Sequence, residues 1–395
     1  MNAREAAYRA LLGSMREERF ISEALEQWRK TDSPSARDLR FAREMAYGAM
    51  RKQKSLNHYA KQLAPALKLK RKERALLYLS LYQAIEMDKI PIHAVVNESV
   101  KLGKKECHAR FADFLNAILQ KIPNTTFTLP QGSDAGSLAI RYSYTDYYVQ
   151  KLLDCYGLDK TIAILEASNA PGKTMARIRA NFESLPGIIE TPFKVALLEN
   201  PQDHFDSPDI YIQNAAPVAL MGAMAKTLQK PPGSILDMCA SPGGKALLAH
   251  DLYPGAKLTV NDVSEYKLLK VQENFKKYGV DASYSVGPEP LSHDLIIVDA
   301  PCSNSGVLNK RPEARWRITE QSVDELRSLQ KRLLRQALDL LNPGGIVWYM
   351  TCSILPDENQ ELIKEEGLWK NCLFHKVITP NSKGWDGGFA CALSK

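Results

Sequence analysis

The sequence predicts an all-α domain over residues 1–125 and an α/β domain over residues 231–395. A linker at 123–133 and a small α+β lead-in at 134–230 join them. Three observations carry this division. Up to residue 122, apolar residues recur at helical spacing. From Gly233 onward, short apolar runs alternate with amphipathic stretches. Between these regions, P-N-T-T-F-T-L-P-Q-G-S at 123–133 is dense in turn formers.

In the first domain, Asn2 is an N-cap for a helix over Ala3–Leu12, and Ser33-Pro34 starts another with the proline at its first position. Arg74–Met87 is apolar nearly all round, the pattern of a bundle's central helix. Ile92–Lys101 and Phe111–Ile122 complete the domain. In the lead-in, Tyr144–Tyr156 and Leu158–Ser168 read as helices and Thr174–Ile178 as a strand. Beyond Gly233, strands are predicted at 234–238, 257–261, 282–286, 294–298 and 346–350, and helices at 245–252, 264–278, 320–341 and 356–366. That alternation implies a parallel sheet with helices on both faces.

Composition narrows the function classes. Of the 395 residues, 45% are hydrophobic and 25% charged, as in soluble globular proteins. No apolar run approaches the length of a membrane helix and the N-terminus lacks an apolar signal core, so a cytoplasmic protein is expected. The seven cysteines are scattered without a C-x-x-C pair, and no histidine has metal-ligand spacing. Neither a disulfide framework nor a metal site is expected. Residues 1–125 hold 24 Lys and Arg against 14 Asp and Glu, whereas the remaining 270 hold 28 against 31. The positive surplus therefore sits in the helical domain, which suits docking on a polyanion; solvated helix faces would give the same count.

Two stretches end an apolar run just before a cysteine: D-L-I-I-V-D-A-P-C at 294–302 and I-V-W-Y-M-T-C-S at 346–353. Ligands of open α/β sheets bind at the carboxyl ends of strands, so Cys302, Cys352 and Asp299 are candidate neighbours at one site. A third stretch, I-L-D-M-C-A-S-P-G-G-K at 235–245, is a strand turning through glycines into a helix, whose N-terminus offers N–H groups to an anion. It lacks the dinucleotide and phosphate-loop signatures. Asp262, at the next strand's end, can accept from ribose hydroxyls. A glycine loop and a ribose acid without a phosphate cradle fit S-adenosylmethionine; a turn that merely closes a βα unit is the alternative.

These residues carry a resemblance. D-M-C-A-S-P-G-G-K-A from 237, D-A-P-C-S-N-S-G-V from 299 and T-C-S-I-L-P-D-E-N from 351 resemble the RNA cytosine-5 methyltransferases of the Nol1/Nop2/Sun group. The helical region, with I-P-I-H-A-V-V-N-E-S-V at 90–100 and F-L-N-A-I-L at 114–119, resembles the NusB-like domain of the bacterial member that acts on small-subunit (16S) ribosomal RNA. The resemblance implies a multidomain fold: a NusB-like bundle, then a Rossmann-like class I methyltransferase domain using S-adenosylmethionine. It implies a monomer acting on ribosomal RNA or on partly assembled particles.

Residue by residue, it makes Cys352 the nucleophile and Cys302 the thiol that assists release. Asp299 and Lys245 face the target base. Cys239, Ala240, Ser241, Pro242, Gly243, Gly244 and Lys245, with Asp262, Glu289 and Asp299, hold the cofactor. Arg177, Arg179, Lys310, Arg311 and Arg315 are candidate RNA contacts, with Arg317 and Trp316 beside them. Three positions depart from the family pattern. Pro288 stands where an acid is expected, so Glu289 is the substitute; Asn214 stands where Asp is common; Arg179 replaces the Asn of R-x-N. The bland readings are a buried small hydrophobe for each cysteine, an exposed helix-start cation for Lys245 and a solvated loop around 310–317. A transfer-RNA substrate, a non-catalytic RNA-binding assembly factor and a nicotinamide oxidoreductase are the rival functions. The cysteine pair counts against the second and the missing G-x-G-x-x-G against the third.

Overall fold

A computed structural model of the chain describes residues 1–16, 19–179, 189–190, 193–199, 204, 206–287 and 290–395. They form two compact units: 1–162 together with 311–317, and 163–310 together with 318–395.

The first unit is helical: α1 (Ala3–Met15), α2 (Ile21–Asp32), α3 (Ala36–Arg51), α4 (Gln53–Leu63), α5 (Arg71–Glu86), α6 (Ile92–Glu106), α7 (Ala109–Lys121), α8 (Ala135–Tyr142) and the first part of α9 (Asp146–Asn169). Asn2 caps α1 by accepting the Glu5 N–H at 2.9 Å, as its residue type predicts. The expected start of α3 shifts by two residues. Ser33 takes a left-handed conformation that closes α2, and Ser35 becomes the cap by accepting from Asp38 N. Pro34 lies before the helix rather than at its first position. In α5 every residue from Ala75 to Gln83 is buried, which its all-round apolar sequence foretold. Its two polar residues in that stretch are satisfied: Ser80 Oγ donates to Leu76 O at 2.8 Å, and Gln83 Oε1 accepts from Arg4 at 2.8 Å. The segment read as a linker is fastened to this unit. Phe127 and Leu129 pack on its core, and Gln62 bonds both the N–H and the C=O of Thr128. Helix α9 bends at Gly157 (φ 72°), which joins the two helices expected there.

The second unit holds two sheets. A small antiparallel one has the order β2-β3-β1-β4, from β1 (Met175–Ile178), β2 (Ile189–Glu190), β3 (Lys194–Leu197) and β4 (Ile210–Ile212). The other is built from β5 (Ser234–Asp237), β6 (Lys257–Asp262), β7 (Ser283–Val286), β8 (His293–Asp299), β9 (Leu341–Thr351), β10 (Cys372–Ile378) and β11 (Gly388–Ser394). Its order is β10-β11-β9-β8-β5-β6-β7. Strands β9, β8, β5, β6 and β7 are parallel. Helices α10 (Ala215–Ala225), α11 (Gly244–Leu252), α12 (Glu265–Tyr278), α13 (Glu320–Asp339) and α14 (Gln360–Glu365) complete the unit. Apolar residues on opposite sides of the sheet build two cores, one around Leu247, Val271 and Phe275 and one around Leu334, Tyr349 and Phe389.

All five predicted strands of this sheet are present. The sequence reading missed the antiparallel hairpin β10–β11 at the edge beside β9. Strand β9 also starts earlier than expected: Leu341 pairs with His293, and Asn342–Gly345 then bulge out before Ile346 pairs with Leu295. Since the chain runs β5-β6-β7 outward and returns to β8 on the other side of β5, the strand order reverses between β5 and β8. That reversal places a crevice at their carboxyl ends.

Gly48 shows how tightly the helical unit is packed. A Cβ there would lie 1.9 Å from the Tyr82 ring, whose hydroxyl is held by Glu44 at 2.7 Å. Gly48→Ala should therefore destabilise the protein by about 1–3 kcal/mol. Gly255→Ala, where a Cβ meets nothing within 4 Å, should stay within about 0.5 kcal/mol of wild type. Urea denaturation followed by far-ultraviolet circular dichroism checks both.

Candidate active site at the carboxyl ends of the sheet

Strands β8 and β9 run side by side and in step, with Asp299 opposite Met350. The loops that leave them carry Cys302 and Cys352, and the two sulfurs lie 3.0 Å apart as free thiols. Cys352 Sγ also donates to Asn304 Oδ1 at 3.3 Å. The two loops can approach because Gly306 has no side chain. A Cβ there would lie 2.5 Å from the Gly387 backbone, while Gly306 N donates to Cys352 O and its carbonyl accepts from Gly387 N.

Strand β5 leads into the loop 238–243 and then α11. Gly243 adopts φ 101°, and a Cβ on it would press on Val271 and Phe275 at 3.0 Å. This turn aims the first residues of α11 at the crevice. Lys245, at the helix start, reaches Asp299 Oδ2 at 2.6 Å. Burial works against the ammonium, but the Asp299 carboxylate outweighs it and raises the lysine above its ordinary pKa. The lysine is therefore charged.

A cleft of about 270 Å³ opens here; its walls include Lys245, Asp299, Cys352, Lys310, Asp386 and Asn214. Lys310 Nζ bonds Asp386 Oδ2 at 2.7 Å. Burial raises the Asp386 carboxyl above the usual range, against the pull of Lys310. Burial, then the charge of Asp299, pushes Asp237 at the end of β5 up to about 7, and among the described residues its Oδ2 has no hydrogen-bond partner. Cys302 is held well above the ordinary thiol range by its hydrogen bond to Cys352 and by burial. Burial, reinforced by Asp237, also pushes Cys239 up to about 12, so that thiol is inert.

The comparisons with known proteins agree on the kind of domain this is. Residues 225–380 match the family described as 16S rRNA methyltransferase RsmB/F, and residues 1–124 match the NusB family. The carboxyl-terminal part of the chain is thus similar to the RsmB/F methyltransferases. Among its relatives, the ribosomal RNA small subunit methyltransferase B of Vibrio cholerae is 29% identical, covering 92% of this chain and 88% of its own length. The protein of the same name from Shewanella oneidensis is 27% identical over 92% and 89%. Among solved structures, PH0851 matches 99% of this chain and 98% of its own with a TM-score of 0.76 at 22% identity. A methyltransferase homolog from Pyrococcus horikoshii matches 67% and 99% with a TM-score of 0.55, also at 22% identity. These likenesses confirm the Rossmann-like fold.

A methyltransferase domain of the RsmB/F family takes its methyl group from S-adenosylmethionine. The donor set beside the crevice fits that molecule. Asp262, at the end of β6, is buried; among the described residues its carboxylate meets a long bond from Ser241 N (3.4 Å) and an ion pair with Lys267 (3.3 Å), which leaves acceptor capacity for hydroxyls. The unpartnered Asp237 Oδ2 suits an ammonium, and the N–H groups at the start of α11 suit a carboxylate. Ala240, Ser241, Pro242 and Gly244 line the cleft wall between them. Glu289, and Pro288 before it, lie outside the described residues.

The candidate RNA contacts divide. Arg177 is fully buried: it pairs with Asp251, donates from Nε to Gln213 Oε1 at 3.1 Å and lies over Phe193. Arg179 binds both oxygens of the same Asp251, at 2.9 and 2.8 Å. Arg315 is fully buried within the helical unit, donating to Arg51 O and Ser143 O with its guanidinium 4.1 Å from the Tyr144 ring centre. Trp316 donates to Met50 O there. These side chains hold the fold and are not displayed to a polyanion. Lys310 at the cleft and the exposed Arg311 keep surface to offer.

Sequence reasoning passed over three residues of the site. Asp237 stood in the quoted I-L-D, an acid ending an apolar strand; Asp386 stood in W-D-G-G, a turn signal next to an apolar run; Glu358 stood in P-D-E-N.

Asp237 gives a pH-dependent expectation. Its folded pKa of about 7 lies above the unfolded value of 3.8, so between these pH values the native state binds more protons than the unfolded one. Stability then falls as pH rises through that window. Asp237→Asn removes the deficit. The ligand-free variant should match wild type near pH 4 and exceed it by about 1–3 kcal/mol at pH 8, measured by urea denaturation at both.

Proposed function

We propose that this RsmB/F-like enzyme methylates carbon 5 of a cytosine in small-subunit ribosomal RNA through a covalent cysteine adduct. The observation that carries the proposal is the pair of thiols, 3.0 Å apart, on a cleft that also holds a lysine–aspartate pair. Cytosine carbon 5 is a weak nucleophile. Addition of the Cys352 sulfur to carbon 6 makes carbon 5 enamine-like. Asp299 accepts from the exocyclic amine, and Lys245 beside it stabilises charge that builds on the ring. S-adenosylmethionine, when bound, supplies the methyl group at its sulfonium. The carbon-5 proton then leaves, the Cys352 sulfur departs from carbon 6 and the ring double bond returns. Cys302 assists this last step, the release of the carbon-5 proton.

Two sulfurs so placed disfavour a purely RNA-binding assembly factor, which needs neither. The basic surplus in residues 1–125 and the NusB-family match support an RNA-docking role for the helical unit, with Lys310 and Arg311 as further contacts. A cytoplasmic monomer acting on ribosomal RNA or an assembling particle is consistent with this. Among the described residues, no helix is long and apolar enough to cross a membrane. Bisulfite sequencing of ribosomal RNA from a deletion strain tests the substrate: loss of one protected small-subunit cytosine is expected. Protection lost only in transfer RNA would move the reading to that substrate.

Cys352→Ala should abolish methyl transfer while leaving cofactor affinity near wild type. Cys302→Ala should retain a covalent protein–RNA band on a denaturing gel. Normal turnover by either purified variant would remove that cysteine's role. Asp262→Ala should weaken cofactor binding by roughly tenfold to a hundredfold, the loss expected for hydrogen bonds to a charged group, as read by calorimetry.

A further inference from the structure

We infer that Glu358 is a positioning residue that sets the spacing of the two thiols, an inference that rests on the covalent reading above. Glu358 is fully buried and its carboxyl lies between the two cysteine loops. Ser303, the residue after Cys302, donates its N–H to Oε1 at 2.8 Å and its hydroxyl to Oε2. Ser353, the residue after Cys352, donates its hydroxyl to the same Oε2. Gln330 of α13 donates from Nε2 to Oε1 at 3.0 Å and to Pro301 O, just before Cys302, at 2.8 Å. The neighbouring Asn359 closes the far side: Thr351 Oγ1 donates to its Oδ1 at 2.6 Å, and its Nδ2 donates to Ser353 O at 3.0 Å. Tyr349 fixes the Glu358 backbone by donating to its carbonyl at 2.9 Å.

Four donors thus converge on two carboxyl oxygens, and the residue after each cysteine is among them. A glutamine in this place keeps the volume but puts a donating amide where Oε2 accepted, so both serine hydroxyls must turn from donating to accepting and their charge-assisted bonds are lost. The loops would then part by a fraction of an ångström. For an adduct that one thiol forms and the other helps resolve, that spacing governs both steps. Glu358 lies behind the thiols and is absent from the cleft wall, so it acts through them and not on the base.

The test is Glu358→Gln in the full-length chain carrying Cys372→Ala, which removes the other close thiol pair, Cys372 and Cys391 at 3.0 Å. Thiol spacing is read with diamide. Cys302 and Cys352 each give up a proton and an electron to form the S–S bond, and the diazene is reduced to the hydrazine; peptide mass spectrometry follows the bridge. The variant should bind S-adenosylmethionine as its parent does, form the bridge at least about tenfold more slowly and lose about a hundredfold in single-turnover methyl transfer. A general folding defect would instead weaken cofactor binding and thermal stability together. If the glutamine variant does not fold, Ser303→Ala, which frees one loop, should slow both reactions about three- to tenfold. Methyl transfer at the parent's rate in the folded variant overturns the inference, whatever the diamide rate. Should the parent itself fail to methylate RNA, the cytosine reading falls, and the diamide rate decides the positioning role by itself.

Discussion

The in-step parallel pairing of β8 with β9 is the constraint on which the site depends. Because Ile297 lies opposite Trp348 and Asp299 opposite Met350, the two strands end level. The two cysteines, 50 residues apart in sequence, therefore leave neighbouring strands at the same height. The pairing is protected from both sides. Leu295, Ile297, Ile346 and Trp348 join the core on one face of the sheet, and Ile296, Val298, Val347 and Tyr349 join that on the other. A slip of one residue would exchange these two sets and separate the thiols. The N-P-G-G bulge at Asn342–Gly345 absorbs the mismatch between the two chains at the start of the pairing, so the register at its functional end is undisturbed.

The electrostatics of the crevice follow from that arrangement. Three strands end in the acids Asp237, Asp262 and Asp299; Lys245 reaches Asp299 and Lys267 pairs with Asp262. Lys245 bonds Asp299 directly, while burial and then the charge of Asp299 lift Asp237 against the pull of Lys245. Asp237 consequently stays near its titration point at neutral pH. Of these two acids on adjacent strand ends, only Asp299 bonds Lys245 directly. A cation arriving at the unpartnered oxygen of Asp237 would stabilise its charged form, which links cofactor binding to the pH range near neutrality.

Much of this was legible in the sequence. Apolar runs ending in D-A-P-C and M-T-C-S marked two buried strands with chemistry at their ends, and the all-round apolar Arg74–Met87 marked the centre of the helical unit. Patterning reports periodicity and breakers, so these survived. What it hid was non-local. The hairpin β10–β11 has a half-exposed first strand whose pattern is set by its partner, and F-A-C-A-L is too short to reveal an antiparallel edge. Arg315 and Arg177 read as surface cations because burial of a guanidinium depends on partners distant in sequence: Ser143 and Arg51 for the one, Asp251 for the other. Glu358 was hidden for the same reason, since nothing in P-D-E-N announces four converging donors.

The departures from the family pattern have local physical reasons of this kind. Asn214 caps α10 by accepting from Ala216 N at 3.1 Å, and the same Oδ1 accepts from Asp386 N at 2.9 Å. Its Nδ2 donates to Gly384 O at 3.0 Å. An ionised aspartate could take the first two roles but not the third, because it has no proton to give and would face a carbonyl oxygen. The amide therefore ties the start of α10 to the turn that carries Asp386. Arg179 is matched likewise. With Arg177 already buried against Asp251, a second guanidinium binding both oxygens of that carboxylate completes an Arg–Asp–Arg cluster, and Asp251 is held below its ordinary pKa against the cost of burial. Neither change touches the thiols or the lysine–aspartate pair. Both act on the small sheet and the turn that flank the cleft, so the divergence falls on how the cleft walls are braced and leaves its reactive groups alone.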